Sequence, residues 1–385
     1  MKYLDTHPWL TFEVDLRKAP FDLWLALGEA QSKCEHIAGV PLSPEDSESL
    51  HAVYLAKGVW ATTAIEGNTL SEEEVRQRID GKLPLPPSRE YLGQEVDNIV
   101  AACNQIFASA VDSDSTDITV EAIRQYNRMV LTGLQVEPEV DPGRFRHHSV
   151  GVANYRGAPA EECPQLLQRL CEWLNGPGFV PGGPNPIAFG ILRAILAHLY
   201  LVWIHPFADG NGRTARLLEV QILVGVGVPS PAAHLLSNHY NLTRQEYYKQ
   251  LDYASRSGGN VVPFIEYAVK GLVAGLRDQV ERIRYSQWDV SWRQHIYTVF
   301  GSNPTEADKR RRDLLVELSA RYEPVPFQRL RDLSVPVARS YIGVSDRTLY
   351  RDLDLLETRG LIVRGPDGVM PKRETILAFL PARRT

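Results

Sequence analysis

Cysteine is sparse in this 385-residue chain, with four in all, and they form no C-x-x-C pair and have no histidine at zinc-finger spacing. Cys34, Cys103, Cys163 and Cys171 therefore read as buried thiols of a reducing compartment rather than a disulfide framework or a zinc site. Positive charge is not in excess either. The net charge of -5 argues against a nucleic-acid or anionic-membrane surface running along the whole chain. An uninterrupted apolar run is also missing. The most apolar stretch, 187–204, is broken by Arg193 and His198 and reads as a core helix rather than a membrane span. The first fifteen residues carry Asp5, His7, Glu13 and Asp15 where a signal peptide needs apolar side chains, so a cytoplasmic location is expected. Internal repeats, low-complexity segments and, through the first 300 residues, nearly all strand patterns are lacking too.

What is present is helical periodicity in a chain of ordinary globular composition, 44% hydrophobic and 23% charged. Residues 21–37, 44–64, 90–111 and 120–131 each place apolar side chains at three- and four-residue steps. Ser43 and Thr119 suit N-cap positions, and Thr243 with Glu246 three residues on reads as a capping box. The segment 145–153 is the one plausible hairpin ahead of residue 300. Two long helical patterns, 187–204 and 212–224, are joined by residues 205–211. The expected fold is mainly α: a helical bundle with a small β-hairpin flap and a separate C-terminal module. The expected division is a helical region at 1–113, a core at 114–275, a helical linker at 276–304 and the module at 305–385.

The junction between the two long helices reads His205-Pro-Phe-Ala-Asp-Gly-Asn-Gly-Arg-Thr-Ala-Arg216. Gly210, Asn211 and Gly212 at a helix start let successive N–H groups turn inward, which with the helix dipole makes a nest for phosphate. Arg213 and Arg216 lie three apart and can fork onto phosphate oxygens. Asp209 is a hard carboxylate suited to Mg²⁺ beside those phosphates, and His205 can take a proton from an incoming hydroxyl. Each piece alone is commonplace. Eight specified residues at fixed spacing, at about 5% usage each, arise by chance in a chain of this length with odds on the order of one in 10⁸.

The segment resembles the Fic family signature, H-x-F-x-[DE]-G-N-G-R-x-x-R, without a mismatch. The resemblance implies His205 as general base, Asp209 as Mg²⁺ ligand, Asn211 on the α-phosphate, Gly210 and Gly212 as anion hole, and Arg213 and Arg216 on the β- and γ-phosphates. Gly212 stands where relatives that transfer phosphate carry Lys, which implies transfer of AMP from ATP to a protein hydroxyl. Upstream, Thr62-Thr-Ala-Ile-Glu66-Gly67 resembles the family's inhibitory motif, [ST]-x-x-x-E-[GN]; a carboxylate paired with Arg216 would take the fork the γ-phosphate needs. In some relatives that Glu instead positions water to remove AMP, so a de-AMPylating or bifunctional enzyme stays open. Residues 143–156 resemble the flap on which an extended protein substrate, this chain itself included, would dock by strand addition. Tyr240, Tyr247 and Tyr248 lie where relatives build part of the adenine pocket. His198 reads as a core histidine, and His147 and His148 as hairpin surface.

From residue 304 onward there are 16 Lys and Arg against 12 Asp and Glu, while the remainder has 26 against 35. This mildly basic tail reads as a short helix with Pro336 near its start, a turn at Gly343, a second helix begun by Ser345 and ended by Gly360, and a two-stranded wing from Leu361. It resembles a winged helix-turn-helix, with Asp346, Arg347, Tyr350 and Arg351 on the exposed start of the second helix. DNA and a second copy of the chain are its candidate partners, and a DNA-binding regulator whose Fic core senses nucleotide is the alternative function.

Overall fold

The computed structural model describes residues 2–17, 19–112, 117–152, 155–179, 183–321 and 323–376. The chain divides into two compact units, 1–281 and 282–385, and the division falls inside the helix Val262–Phe300. Each unit has its own hydrophobic core: one cluster runs from Tyr3 to Leu276, the other from Trp292 to Val369.

The first unit is built on two helices, Pro186–Ile204 and Asn211–Gly225, which pack against each other. Pro186–Ile204 is apolar on every side because every side is covered, with fifteen of its nineteen residues buried. Its interrupting polar residues are satisfied inside: Arg193 donates to Asn175 Oδ1 at 2.6 Å, and His198 Nε2 lies 2.8 Å from the Tyr247 hydroxyl. The expected core helix is thus what forms. Phe21–Gly39 and Cys163–Leu174 pack on Pro186–Ile204, while Glu90–Asp112, Val120–Val130 and Pro44–Ala64 pack on Asn211–Gly225. All four cysteines are free and buried, as their scatter implied.

Helix ends follow the sequence at Ser43 and Thr119, whose hydroxyls accept from Asp46 N at 3.0 Å and Ala122 N at 3.1 Å. The capping box expected at Thr243 does not form. That hydroxyl instead donates back to His239 O at 2.7 Å and meets the Tyr267 hydroxyl at 2.5 Å, so the preceding helix claims it. A capping box does form at Ser71 and Glu74, ahead of Glu72–Ile79.

The hairpin lies later than the expected 145–153. Gly151–Val152 pairs antiparallel with Tyr155–Arg156, and Ala153 is outside the described residues. Residues 145 and 146 are drawn inward instead: Phe145 stacks on Phe207 with centroids 6.1 Å apart, and Arg146 is 3% exposed with its amide on Pro206 O at 3.1 Å. Both residues are spent on the core before a strand can begin.

In the second unit, helices Glu306–Ser319, Val335–Ser340 and Asp346–Thr358 precede the antiparallel pair Ile362–Gly365 and Gly368–Pro371. Val325 and Val369 add two main-chain bonds to that pair, of 3.0 and 2.9 Å. Pro336 sits in the first turn of its helix, and Gly343 and Gly360 take positive φ where the sequence placed a turn and a stop. Ser345 is at the N-cap position, but its hydroxyl meets Thr348 Oγ1 at 3.2 Å rather than a main-chain N–H.

Candidate active site

Helix Pro186–Ile204 ends on His205, which adopts the left-handed conformation (φ 52°, ψ 59°), uncommon for a residue with a Cβ. Arg146 holds it there. Its guanidinium donates from Nε to His205 O at 2.7 Å, from Nη1 to His148 O at 2.7 Å and from Nη2 to Ala158 O. One buried cation thus ties both sides of the hairpin to the end of the core helix. The His205 ring has Nδ1 3.3 Å from Val202 O, which assigns the proton to Nδ1 and leaves Nε2 as an acceptor. Burial lowers its pKa to about 4, and nearby Arg146 works in the same direction, so the imidazole is neutral near pH 7.

The loop after His205 is fixed from within. Asn211 is 2% exposed; its Oδ1 accepts from Phe207 N at 3.0 Å and its Nδ2 donates to Phe207 O at 2.8 Å. Gly210 takes φ 76°, and its carbonyl accepts from the Thr214 hydroxyl at 2.8 Å. From the side, Asn127 donates to Asp209 O at 2.8 Å and accepts from Gly143 N at 2.9 Å, joining the loop to the approach of the hairpin. These bonds aim the free N–H groups of the first turn of Asn211–Gly225 outward. The Asp209 side chain is about half exposed (51%) at the mouth of this turn, with Oδ1 accepting from Gly210 N at 2.5 Å.

Carboxylates occupy both predicted phosphate forks. Arg216, 1% exposed, donates from Nη2 to Glu66 Oε1 at 2.5 Å and to Thr62 O at 3.0 Å. Arg213 lies 3.3 Å from Glu95 Oε1 and 3.5 Å from Asp209. Burial alone would raise the pKa of Glu66, but the charge of Arg216, then that of Arg213, outweighs it and holds the carboxyl below its usual range. A Cβ on Gly212 would lie 2.2 Å from Glu66 Oε1. The Glu66 carboxylate therefore sits on the first turn of the second core helix, where an anion belongs.

His205, Glu66 and Gly212 line one cavity of about 490 Å³, together with Ile65, Tyr155, Val202, Trp203, Tyr247, Tyr248, Lys249, Leu251 and Asp252. Tyr247 and Tyr248 are thus wall residues. Tyr240 is not; it is fully buried, stacked on Tyr247 at 4.8 Å, with its hydroxyl on Glu219 Oε1 at 2.9 Å. His147 and His148 are exposed, and among the described residues no three His, Cys, Asp or Glu side chains cluster as a metal site. Asn211 reaches no open cavity wall: both of its polar side-chain atoms are on Phe207. Sequence reasoning missed Asn127 and the hub role of Arg146. Asn127 had left a trace, as a polar residue on the buried stripe Ile123, Tyr126, Asn127, Val130.

A helical core that hangs this motif between its two central helices defines a class. Residues 117–223 match the model of the Fic/DOC family. It is 32% identical over 228 residues to protein adenylyltransferase fic-1 of Caenorhabditis elegans, covering 59% of this chain and 42% of that protein. It is 33% identical over 215 residues to protein adenylyltransferase Fic of Drosophila melanogaster, covering 54% and 39%. The chain thus spans about two fifths of the length of the curated relatives it matches. Among solved structures, Fic-1 (residues 134–508) of C. elegans superposes with a TM-score of 0.56 at 26% identity, over 69% of this chain and 74% of that one. A Fic family protein from Desulfovibrio desulfuricans G20 shares the fold, with a TM-score of 0.56 at 22% identity over 91% and 94%.

Proposed function

We propose that this chain is a protein adenylyltransferase restrained by its own Glu66. The observation that carries the reading is the Glu66 carboxylate bound to Arg216 over Gly212, an anion on the helix N-terminus in the same cavity as a neutral His205. With that carboxylate withdrawn, Arg216 and the first-turn N–H groups are left to hold the triphosphate of ATP, joined by Arg213 as it exchanges Glu95 for phosphate, and Tyr247 and Tyr248 offer ring faces to the adenine. His205 Nε2 accepts the proton of a substrate hydroxyl as its oxygen bonds to the α-phosphorus and pyrophosphate departs. The strands Gly151–Val152 and Tyr155–Arg156 supply an edge on which an extended protein segment, from another protein or this chain, can pair. Asp209 fits Mg²⁺, since this ion is commonly held by one or two carboxylates plus substrate phosphates and water; bound there, Mg²⁺ would offset phosphate charge.

The test is transfer of α-labelled AMP to protein, with Glu66→Gly labelling well above wild type and His205→Ala in that background labelling nothing. Equal labelling by wild type and Glu66→Gly removes the restraint; no labelling by either removes the transferase reading. The same assay run on a pre-labelled target, with release of AMP as readout, separates the de-AMPylating reading. That reading is favoured by one observation: Glu66 keeps 33% of its side-chain surface open beside His205, where a carboxylate can orient water.

A second reading concerns residues 305–385, as a winged helix that binds duplex DNA. It is favoured by the fate of Asp352, a carboxylate on the helix Asp346–Thr358 that would repel phosphate if exposed. That carboxylate is fully buried and accepts from Arg310 at 2.8 Å, Arg311 at 2.6 Å and the Tyr341 hydroxyl at 3.1 Å. Arg347, Tyr350 and Arg351 remain exposed on the same helix. Retardation of duplex DNA at physiological salt by the wild type, lost in Arg347→Ala with Arg351→Ala, is the expected result; an unretarded duplex refutes it.

A further inference from the structure

Helix Pro44–Ala64 presents Glu66 from the turn that follows it, and a helix C-terminus leaves carbonyls without partners inside the helix. Three of the carbonyls nearest Glu66 are claimed by side chains from elsewhere in the fold. Thr62 O accepts from Arg216, which belongs to the site already described. Ala64 O and Ile65 O accept from a different cation: Arg244 donates from Nη1 at 3.4 Å and from Nη2 at 2.6 Å. Ile65 is the residue immediately before Glu66, and the Tyr248 hydroxyl approaches the same carbonyl at 3.5 Å. Arg244 in turn lies over the Tyr248 ring, 5.9 Å from its centroid, and Tyr248 lines the cavity that holds His205.

We propose that Arg244 is a positioning residue for the restraint: it latches the end of the inhibitory helix, and so keeps Glu66 on Arg216. The proposal rests on Glu66 acting as inhibitor. The physical cause is a cation set against the negative end of a helix dipole, with a short hydrogen bond to Ile65 O and a longer one to Ala64 O, which also accepts from Gly67 N at 3.0 Å. Because Arg244 is exposed and does not line the cavity, its removal loosens the turn without emptying the core. Charge reversal goes further, since a carboxylate at that place faces the negative end of the helix.

The experiment compares AMP labelling and hydrogen exchange of the amides at 66–68 in wild type, Arg244→Lys, Arg244→Ala, Arg244→Glu, Glu66→Gly and Arg244→Glu with Glu66→Gly. Labelling is expected to rise roughly two- to fivefold in Arg244→Ala, the size of one cation at a helix terminus. It should rise further in Arg244→Glu and stay near wild type in Arg244→Lys, with faster exchange at 66–68 in the order of labelling. In the Glu66→Gly background, Arg244→Glu is expected to change neither kcat nor KM for ATP, because nothing remains to latch. Wild-type labelling and wild-type exchange in Arg244→Glu overturn the latch while Glu66→Gly still labels. A raised KM for ATP in the double variant overturns it too, by placing Arg244 on the nucleotide. Should Glu66→Gly itself fail to label, the transferase reading falls, and unchanged exchange at 66–68 alone decides against the latch.

Discussion

The loop at 205–212 and the turn at 65–68 face each other across one cavity, and they are held in opposite ways. The loop is fixed by buried polar side chains that belong to it or lie beneath it: Asn211 on Phe207, Asn127 on Asp209, Arg146 on His205. The residues of the turn that line the cavity are fixed by side chains reaching in from other helices: Arg216 grips Glu66 and Arg244 grips Ile65. Only the far end of the turn holds itself, where Asn68 donates to Leu92 O at 3.0 Å and Glu95 at 2.7 Å. Glu66 itself keeps a third of its side-chain surface open. The loop is therefore part of the core and the turn is fastened onto it. On the proposed reading, the restraint is released by changing that fastening alone.

That contrast can be broken most severely on the loop side. His205→Ala in the Glu66→Gly background is expected to cut AMP transfer on the order of 10²- to 10⁴-fold, the usual scale for a lost general base. A retained rate would show that another group takes the proton. Next in size is the turn side: Glu66→Gly is expected to raise transfer roughly tenfold, as the loss of one charge-assisted bond would allow. Its thermal midpoint should fall, because Arg216, 1% exposed, loses its carboxylate partner. Asn211→Ala is the structural counterpart. It strands the N–H and C=O of Phe207, at about 1–3 kcal/mol for each buried group left unpaired, so it should unfold earlier in denaturant even though it touches no apolar contact.

The smallest expected effect is that of pH. His205 is depressed to about 4, so its neutral, proton-accepting form persists down to that range and is lost only as pH falls through it. Glu66 is also held below its usual range, so its charge, and the grip of Arg216, persist above ordinary carboxylate pKa values and fade only in acid. The ratio of Glu66→Gly to wild-type labelling should be flat from about pH 6 to 8. A ratio that falls toward one as pH drops from 8 to 6 would mean that Glu66 titrates near neutrality and that Arg216 does not hold it.

Much of this was legible because the motif is local. Twelve consecutive residues straddle one helix junction, so spacing alone brings His205, Gly212 and Arg216 to a common site. The long helices were legible for the same reason, periodicity being a short-range signal. What the sequence hid is what depends on partners distant in the chain. Arg146 lies 59 residues from the His205 carbonyl it holds, and Arg244 lies 179 from Ile65, and no pattern in either neighbourhood announces the pairing. Tyr240 and Tyr248 looked equivalent in sequence, yet one is buried against Glu219 and the other walls the cavity. The hairpin was misplaced because Phe145 and Arg146 carry strand-like side chains whose actual work is in the core.

The most direct trial of the account is a crystal structure of the Glu66→Gly chain with ATP and Mg²⁺. The triphosphate is expected on the first turn of Asn211–Gly225, with Arg213 and Arg216 on its oxygens and His205 Nε2 facing the α-phosphorus. A triphosphate bound away from that turn, with Arg216 still turned from it, would contradict the claim that Glu66 stands in the place of phosphate.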